Sequence, residues 1–235
     1  RKEYTAAQPL EIRLEQGVHA MVGDHLYVTC SCITFVGKGK DHTTIRGGFN
    51  VVNQQDVRFE GLAVTDPRGS GLYLKGSETK VDMLKCTVKE CGGDGMYLDG
   101  GATVTATQCE FMENGGHGLC CEDEHTKVKL NGCTIHHNGK DGLNTSTHAV
   151  VDLLGANTNI HSNKEVGMYA TDDAKVNIHL SSEHNTAHDN RNGDRTQTDG
   201  GCIANMNADG TFTHVVARED FMPDLMNADG TFPVQ

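Results

Sequence analysis

Val81-Asp82-Met83-Leu84-Lys85-Cys86-Thr87-Val88 decides the fold, because its pattern returns twice downstream and once upstream. The downstream copies are Val104-Thr105-Ala106-Thr107-Gln108-Cys109-Glu110-Phe111 and Val128-Lys129-Leu130-Asn131-Gly132-Cys133-Thr134-Ile135. The upstream copy is Val57-Arg58-Phe59-Glu60-Gly61-Leu62-Ala63-Val64. Apolar or small residues occupy the first, third, sixth and eighth positions of every copy. Leu62, Cys86, Cys109 and Cys133 form one column with spacings of 24, 23 and 24.

Two further columns keep the same phase. Gly followed by Leu or Met occurs at Gly71, Gly95, Gly118, Gly142 and Gly167. Asn114, Asn138 and Asn163 form another, with Cys91 and Pro67 at the equivalent earlier places. Alternation with period two marks strands. The intervening Gly, Asn and Asp accept the left-handed backbone of sharp corners. A unit of about 24 residues cannot bury its own apolar face, so successive units must stack and share one core. Parallel pairing between units, about 4.8 Å apart, gives a solenoid. Predicted inward residues are Val57, Phe59, Leu62, Val64 and Leu72 in one coil and their equivalents in the next three. Leu153, Thr158, Ile160 and Met168 follow, and Val176 and Ile178 open another coil.

These repeats resemble the right-handed parallel β-helix of the pectin-lyase-like superfamily over at least 50–178. The stretch Ile33-Thr34-Phe35-Val36-Gly37-Lys38-Gly39-Lys40, then Thr43-Thr44-Ile45-Arg46-Gly47-Gly48, is similar to the opening coils of such proteins. The resemblance implies an all-β, single-stranded right-handed solenoid of about eight to nine coils. It does not imply one reaction, since the superfamily holds lyases, hydrolases, epimerases, adhesins and non-enzymatic domains. The expected organisation is N-terminal coils and a cap over 1–48, then regular coils over 49–205 with a polar inserted turn at 181–201. A C-terminal strand and a capping or linking tail follow over 206–235. Within that tail Met-Asn-Ala-Asp-Gly-Thr-Phe occurs twice, at 206–212 and 226–232.

Composition narrows the function. The chain has 235 residues, 36% hydrophobic, with 28 Gly, and a net charge of −12. Such a charge excludes nucleic-acid binding through a basic face. No run of 18 apolar residues occurs, so no membrane-spanning helix is expected. The nine cysteines show no C-x2-C pair of zinc knuckles and read as buried small hydrophobes. Free thiols point to a reducing compartment, with an extracellular setting left open. The chain does not begin with Met, so the lack of a leader signal carries no information.

Chemistry on a solenoid requires several side chains at one coil phase. The carboxylates after the Gly column are Asp99, Glu122, Asp123, Glu124, Asp172 and Asp173, interrupted at Lys75 and Ser146. The candidate catalytic residues are therefore Asp99, Glu122, Asp123 and Asp172. Paired carboxylates are what glycosidic cleavage needs. Within the superfamily, lyases add a calcium cluster and an Arg or Lys base, and hydrolases two or three Asp on neighbouring coils. Arg191 and Arg195 are expected in the polar loop, away from this row. Asp123, His184 and His188 are the candidate metal ligands, with Ca2+ the ion suited to an acidic row. No cofactor is assigned. The resulting expectation is a non-catalytic structural or binding module, recognising a glycan or self-assembling end to end through its coil ends into a homo-oligomer or filament. The alternative is a polysaccharide-active lyase, hydrolase or epimerase.

Overall fold

The computed structural model describes residues 4–180, 184, 186–207 and 209–214. Among these the chain is all strand and turn, with no helix. It forms a parallel β-solenoid of eight coils, and a ninth begins at Cys202–Met206.

Each regular coil places strands on three faces. In the coil beginning at residue 80 these are Lys80–Leu84 on the first face, Thr87–Lys89 on the second and Met96–Asp99 on the third. The next coil repeats them as Thr103–Thr107, Glu110–Met112 and Leu119–Cys121. Pairing is parallel and in register, for example Val81 with Val104 and Val104 with Val128. In the first two coils the second and third faces merge into single long strands, Gly17–Val28 and Thr43–Val52. Their pairing shifts register between Ala20 and His25, which makes a bulge.

Period-two alternation sets the core, since every second side chain points inward. All the predicted inward residues are buried. Phe35, Phe49 and Phe59 fill the wider N-terminal interior, with ring centroids 4.7 to 5.3 Å apart. Further along, Cys86, Cys109 and Cys133 occupy the corner that Leu62 fills upstream, all buried and all free thiols. Cys133 donates its thiol to Ala106 O at 3.3 Å. Their burial makes the column a packing feature of this corner, and in the separate Cys91 burial pushes the thiol up to about 12.

A buried ladder of side chains runs up the opposite corner. Asp66 N–H donates to Cys91 Sγ, and Cys91 N–H to Asn114 Oδ1. Asn114, Asn138 and Asn163 each give two N–H groups to the Oδ1 of the next Asn, ending at Asn190. Asn190 in turn donates to Asp194 Oδ1. One expectation needs correction here: Asp66, not Pro67, stands in the ladder. The coil after Asn163 is 27 residues long, so Gly167 is matched by Asp194, and Met168 pairs with Arg195.

The segment 181–201, expected as an inserted turn, carries strands at Ala187–His188 and Arg195–Gln197 that complete the eighth coil. Arg195, expected in a loop, lies on the third face at the phase of buried Met168. There it is half-buried and donates to Asn205 Oδ1 at 2.7 Å. Ile203 N–H donates to Gln197 Oε1. The C-terminal end of the core is thus closed by polar side chains that satisfy one another, as a terminal coil requires. Phe212–His214 then returns antiparallel along Cys202–Met206. The 48/49 division falls inside Thr43–Val52, and 205/206 inside Cys202–Met206. The second heptapeptide, 226–232, lies outside the described residues.

Candidate functional site

Because outward residues also stack, each face presents its own chemistry in rows. The first face carries charges that pair from coil to coil. Arg58 lies 3.5 Å from Asp82, and Asp152 accepts from Asn177 and contacts His179 at 2.9 Å. Exposed pairs of this kind contribute little and mark a solvated face.

The second face carries a histidine row. His136, His161 and His188 pair in register, with rings parallel and centroids 4.9 and 5.2 Å apart. Glu110, one coil earlier and in register with Thr134, lies 3.0 Å from His136 and 2.8 Å from Lys40. Burial opposes the Glu110 charge, but Lys40 and His136 outweigh it and hold the carboxyl below its ordinary range. His184 is not part of this row. It contacts Ala156 O and Thr186 Oγ1, so the two histidines singled out as metal candidates are separated by their partners. Among the described residues no group of three or more His, Cys, Asp or Glu is arranged around a metal position.

The third face gathers the aromatics. One outward row runs Tyr27, Asn50, Tyr73, Tyr97, Cys120, Asn144, Tyr169 and Thr196, all in parallel register. Four of the chain's five tyrosines therefore lie on one line. Tyr73 stacks on Tyr97 with centroids 5.4 Å apart, covering one ring face. The other face of Tyr97 borders the small residues Cys120 and Asn144, with Tyr169 on the far side. Cys120 is buried between its neighbours at 5% exposure, so Asn144 is the residue that follows Tyr97 on the surface of the row.

The predicted carboxylates border this row. Asp99 pairs in register with Lys75, and Glu122 and Ser146 follow at the same phase. Lys75 Nζ donates to Asp99 Oδ2 at 2.5 Å and holds that carboxyl below its ordinary range. The hydrogen bond and charge of Asp99 push Asp123 up. Tyr97 O–H donates to Glu122 Oε2 at 2.6 Å, and Cys120 Sγ to Glu122 Oε1 at 3.6 Å. Burial and then Glu122 raise the Tyr97 phenol well above its ordinary value. Asp141 accepts from Asn144 Nδ2 and from Val166 N–H, and lies 3.3 Å from His117 Nδ1. Burial opposes the Asp141 charge, but these contacts prevail and keep it ionised.

The structure thus brings Asp99, Glu122 and Asp123 together and leaves Asp172 apart. The coil holding Thr147 lies between Asp123 and Asp172, whose carbonyl accepts from His148 N–H. The tyrosine row was not anticipated, though its signal was present: Tyr73 and Tyr97 are one coil apart and Tyr169 three coils further on.

A family model described as a right handed beta helix region matches residues 47–215. No curated protein matches the chain. One solved structure that is similar, ORF18 of Geobacillus virus E2, shares 12% identity at a TM-score of 0.43. That match covers 85% of this chain and 54% of the viral one, so the chain spans about half of its length.

Proposed function

Because this chain belongs to the right-handed β-helix family, a scaffold that fixes rows of side chains and no particular reaction, we propose that it is a non-catalytic module binding a neutral glycan along its third face. The observation that carries this reading is the line of Tyr27, Tyr73, Tyr97 and Tyr169, interleaved with Asn50, Asn144 and Thr196. Aromatic rings pack against the apolar C–H faces of sugars, while amide, hydroxyl and carboxylate groups take the sugar hydroxyls. The acidic surroundings and the net charge of −12 favour an uncharged chain over a polyanion.

The partners of the carboxylates favour binding over catalysis. Lys75 neutralises Asp99, Tyr97 occupies Glu122, and Asn144 and His117 surround Asp141. End-to-end self-assembly is favoured at one end only. The N-terminal strand Gly17–Val28 exposes Val18 and Tyr27, 69% and 67% accessible, while the C-terminal end is plugged by Arg195 and crossed by an antiparallel strand.

Calorimetric titration with neutral and acidic oligosaccharides, alongside a product assay on the same sugars, tests the proposal. Saturable binding of a neutral oligosaccharide, weakened about tenfold or more by Tyr169→Ala, is expected. Binding that ignores Tyr97→Ala and Tyr169→Ala would remove the third face as the site. Product formation abolished by Asp99→Asn would replace the reading with an enzyme.

A further inference from the structure

The second face holds a juxtaposition independent of the tyrosine row. Each ring of the histidine row turns its Nδ1 toward the side chain of the residue that follows it. His161 Nδ1 meets Ser162 Oγ at 3.0 Å, and His188 Nδ1 meets Asp189 Oδ2 at 2.8 Å. In the coil of His136 that neighbour is another imidazole: His136 Nδ1 and His137 Nδ1 lie 2.7 Å apart. His137, Ser162 and Asp189 occupy equivalent left-handed corners, with φ of 55°, 56° and 56°. The corner fixes where each side chain departs, and of the three His137 alone brings a second nitrogen to it.

The tautomer of His136 follows from its other nitrogen. Nε2 stands 3.0 Å from Glu110 Oε1, and an ionised carboxylate only accepts, so Nε2 carries the proton of the neutral ring. Nδ1 of His136 is then a lone pair facing His137. Glu110 is held in turn by Lys40 Nζ at 2.8 Å. A carboxylate that fixes one imidazole nitrogen while the other offers its lone pair is how proteins present histidine to a metal. The parallel His161 ring, with its centroid 4.9 Å away, braces His136 further, whereas His137 is exposed and able to turn.

We propose that His136 Nδ1 and His137 Nδ1 together bind a divalent transition-metal ion of the zinc, copper and nickel group, the ions that imidazole suits. Metal–nitrogen bonds of about 2.0–2.1 Å put two nitrogens on one ion roughly 3.0–3.4 Å apart. The His137 ring therefore turns and withdraws by under about 1 Å to admit the ion. It releases its Nδ1 proton to water and takes one up from water at Nε2, so both rings stay neutral. Two protein nitrogens leave the other coordination positions to water. The site is thus a micromolar one, well short of a four-ligand structural zinc centre.

Zn2+ is titrated into the protein, its accessible thiols first alkylated, while the histidine ring resonances, assigned with single variants, are followed by NMR. The His136 and His137 signals should shift saturably in the micromolar range and return when a chelator is added, with Ca2+ silent because it prefers oxygen ligands. His137→Ser, at an exposed corner that carries Ser one coil on, should leave the melting temperature unchanged and weaken Zn2+ binding about tenfold or more. His161→Gln, which alters the row but not the pair, should leave the affinity nearly unchanged. No saturable shift up to millimolar Zn2+, binding that survives His137→Ser, or an equal loss on His161→Gln would each overturn the proposal. The second face carries none of the row's tyrosines, so failure here leaves the glycan reading intact.

Discussion

Asn138 gives its backbone N–H and its side-chain Nδ2–H to one oxygen, Asn163 Oδ1, at 3.1 and 2.9 Å. Its other Nδ2–H goes to Phe111 O at 3.1 Å, and its own Oδ1 receives the same pair of donors from Asn114. One amide thus satisfies buried polar groups of three coils. Asn138→Ala would strand two donors of Asn114 in a dry interior and take one donor from the Phe111 carbonyl. A loss of about 3 kcal/mol or more is expected in urea unfolding. A loss below about 1 kcal/mol would mean that water or a shifted corner replaces the amide.

Gly118 sits where the ladder meets the core. A Cβ there would lie 2.6 Å from Gly142 O and 2.9 Å from Asn138 Nδ2, and would collide with Ile135. Gly118→Ala should therefore destabilise the protein by several kcal/mol, whereas Gly→Ala at an open site costs little or stabilises. Gly193, with nothing near its Cβ position but a φ of +118°, supplies the contrast: any loss there comes from backbone strain alone.

The thiols should titrate in two classes. Cys30, Cys32 and Cys202 are partly exposed, and the other six cysteines are buried. A thiol-specific chromophore should label those three in the native protein and all nine after unfolding without reductant. Fewer than nine in denaturant would reveal disulfides. Rapid native labelling of Cys109 would mean that the coils open locally.

The histidine row makes stability depend on pH. Burial first, then the charges of His136, His188 and His137, holds His161 below its ordinary 6.5, with Asp189 opposing. The unfolded chain therefore takes up a proton at a higher pH than the folded one. The contribution is present in full above 6.5, falls as the pH drops from 6.5 toward the depressed folded value, and then levels off. Thermal melts between pH 5 and 7.5 should show this fall (range approximate, spanning about the histidine titration). His161→Gln should flatten it, while an unchanged slope would show that His161 is not its source.

What the sequence made legible was whatever repeats. Val81, Met83, Cys86 and Val88 recur at fixed spacing because each coil must match the one below, so the inward residues and the asparagine column could be read directly. Legibility failed where the period stretched. Asn190 lies in an Asn- and Asp-rich run, and only pairing across a 27-residue coil identifies it and Asp194. Pro67 reads as the column's member in place of Asp66 because a one-residue slip leaves a polar corner column looking much the same. The meeting of Asp99, Glu122 and Asp123 follows from coil phase, but the ion pair of Lys75 with Asp99 and the hydrogen bond of Tyr97 to Glu122 do not, since they depend on side-chain reach. His25 and Asp66 belong to different coils and meet only through the bulge after Ala20, which no repeat announces.

Asp194 closes the asparagine ladder with a group that accepts hydrogen bonds and has none to offer onward. The number of storeys is therefore written into the column itself. A transplanted rung that brings its own asparagine would slot between Asn138 and Asn163 and leave the stop in place, whereas a rung lacking it would sever the line. The molecule can be lengthened or shortened by whole turns, and its stature is an editable trait.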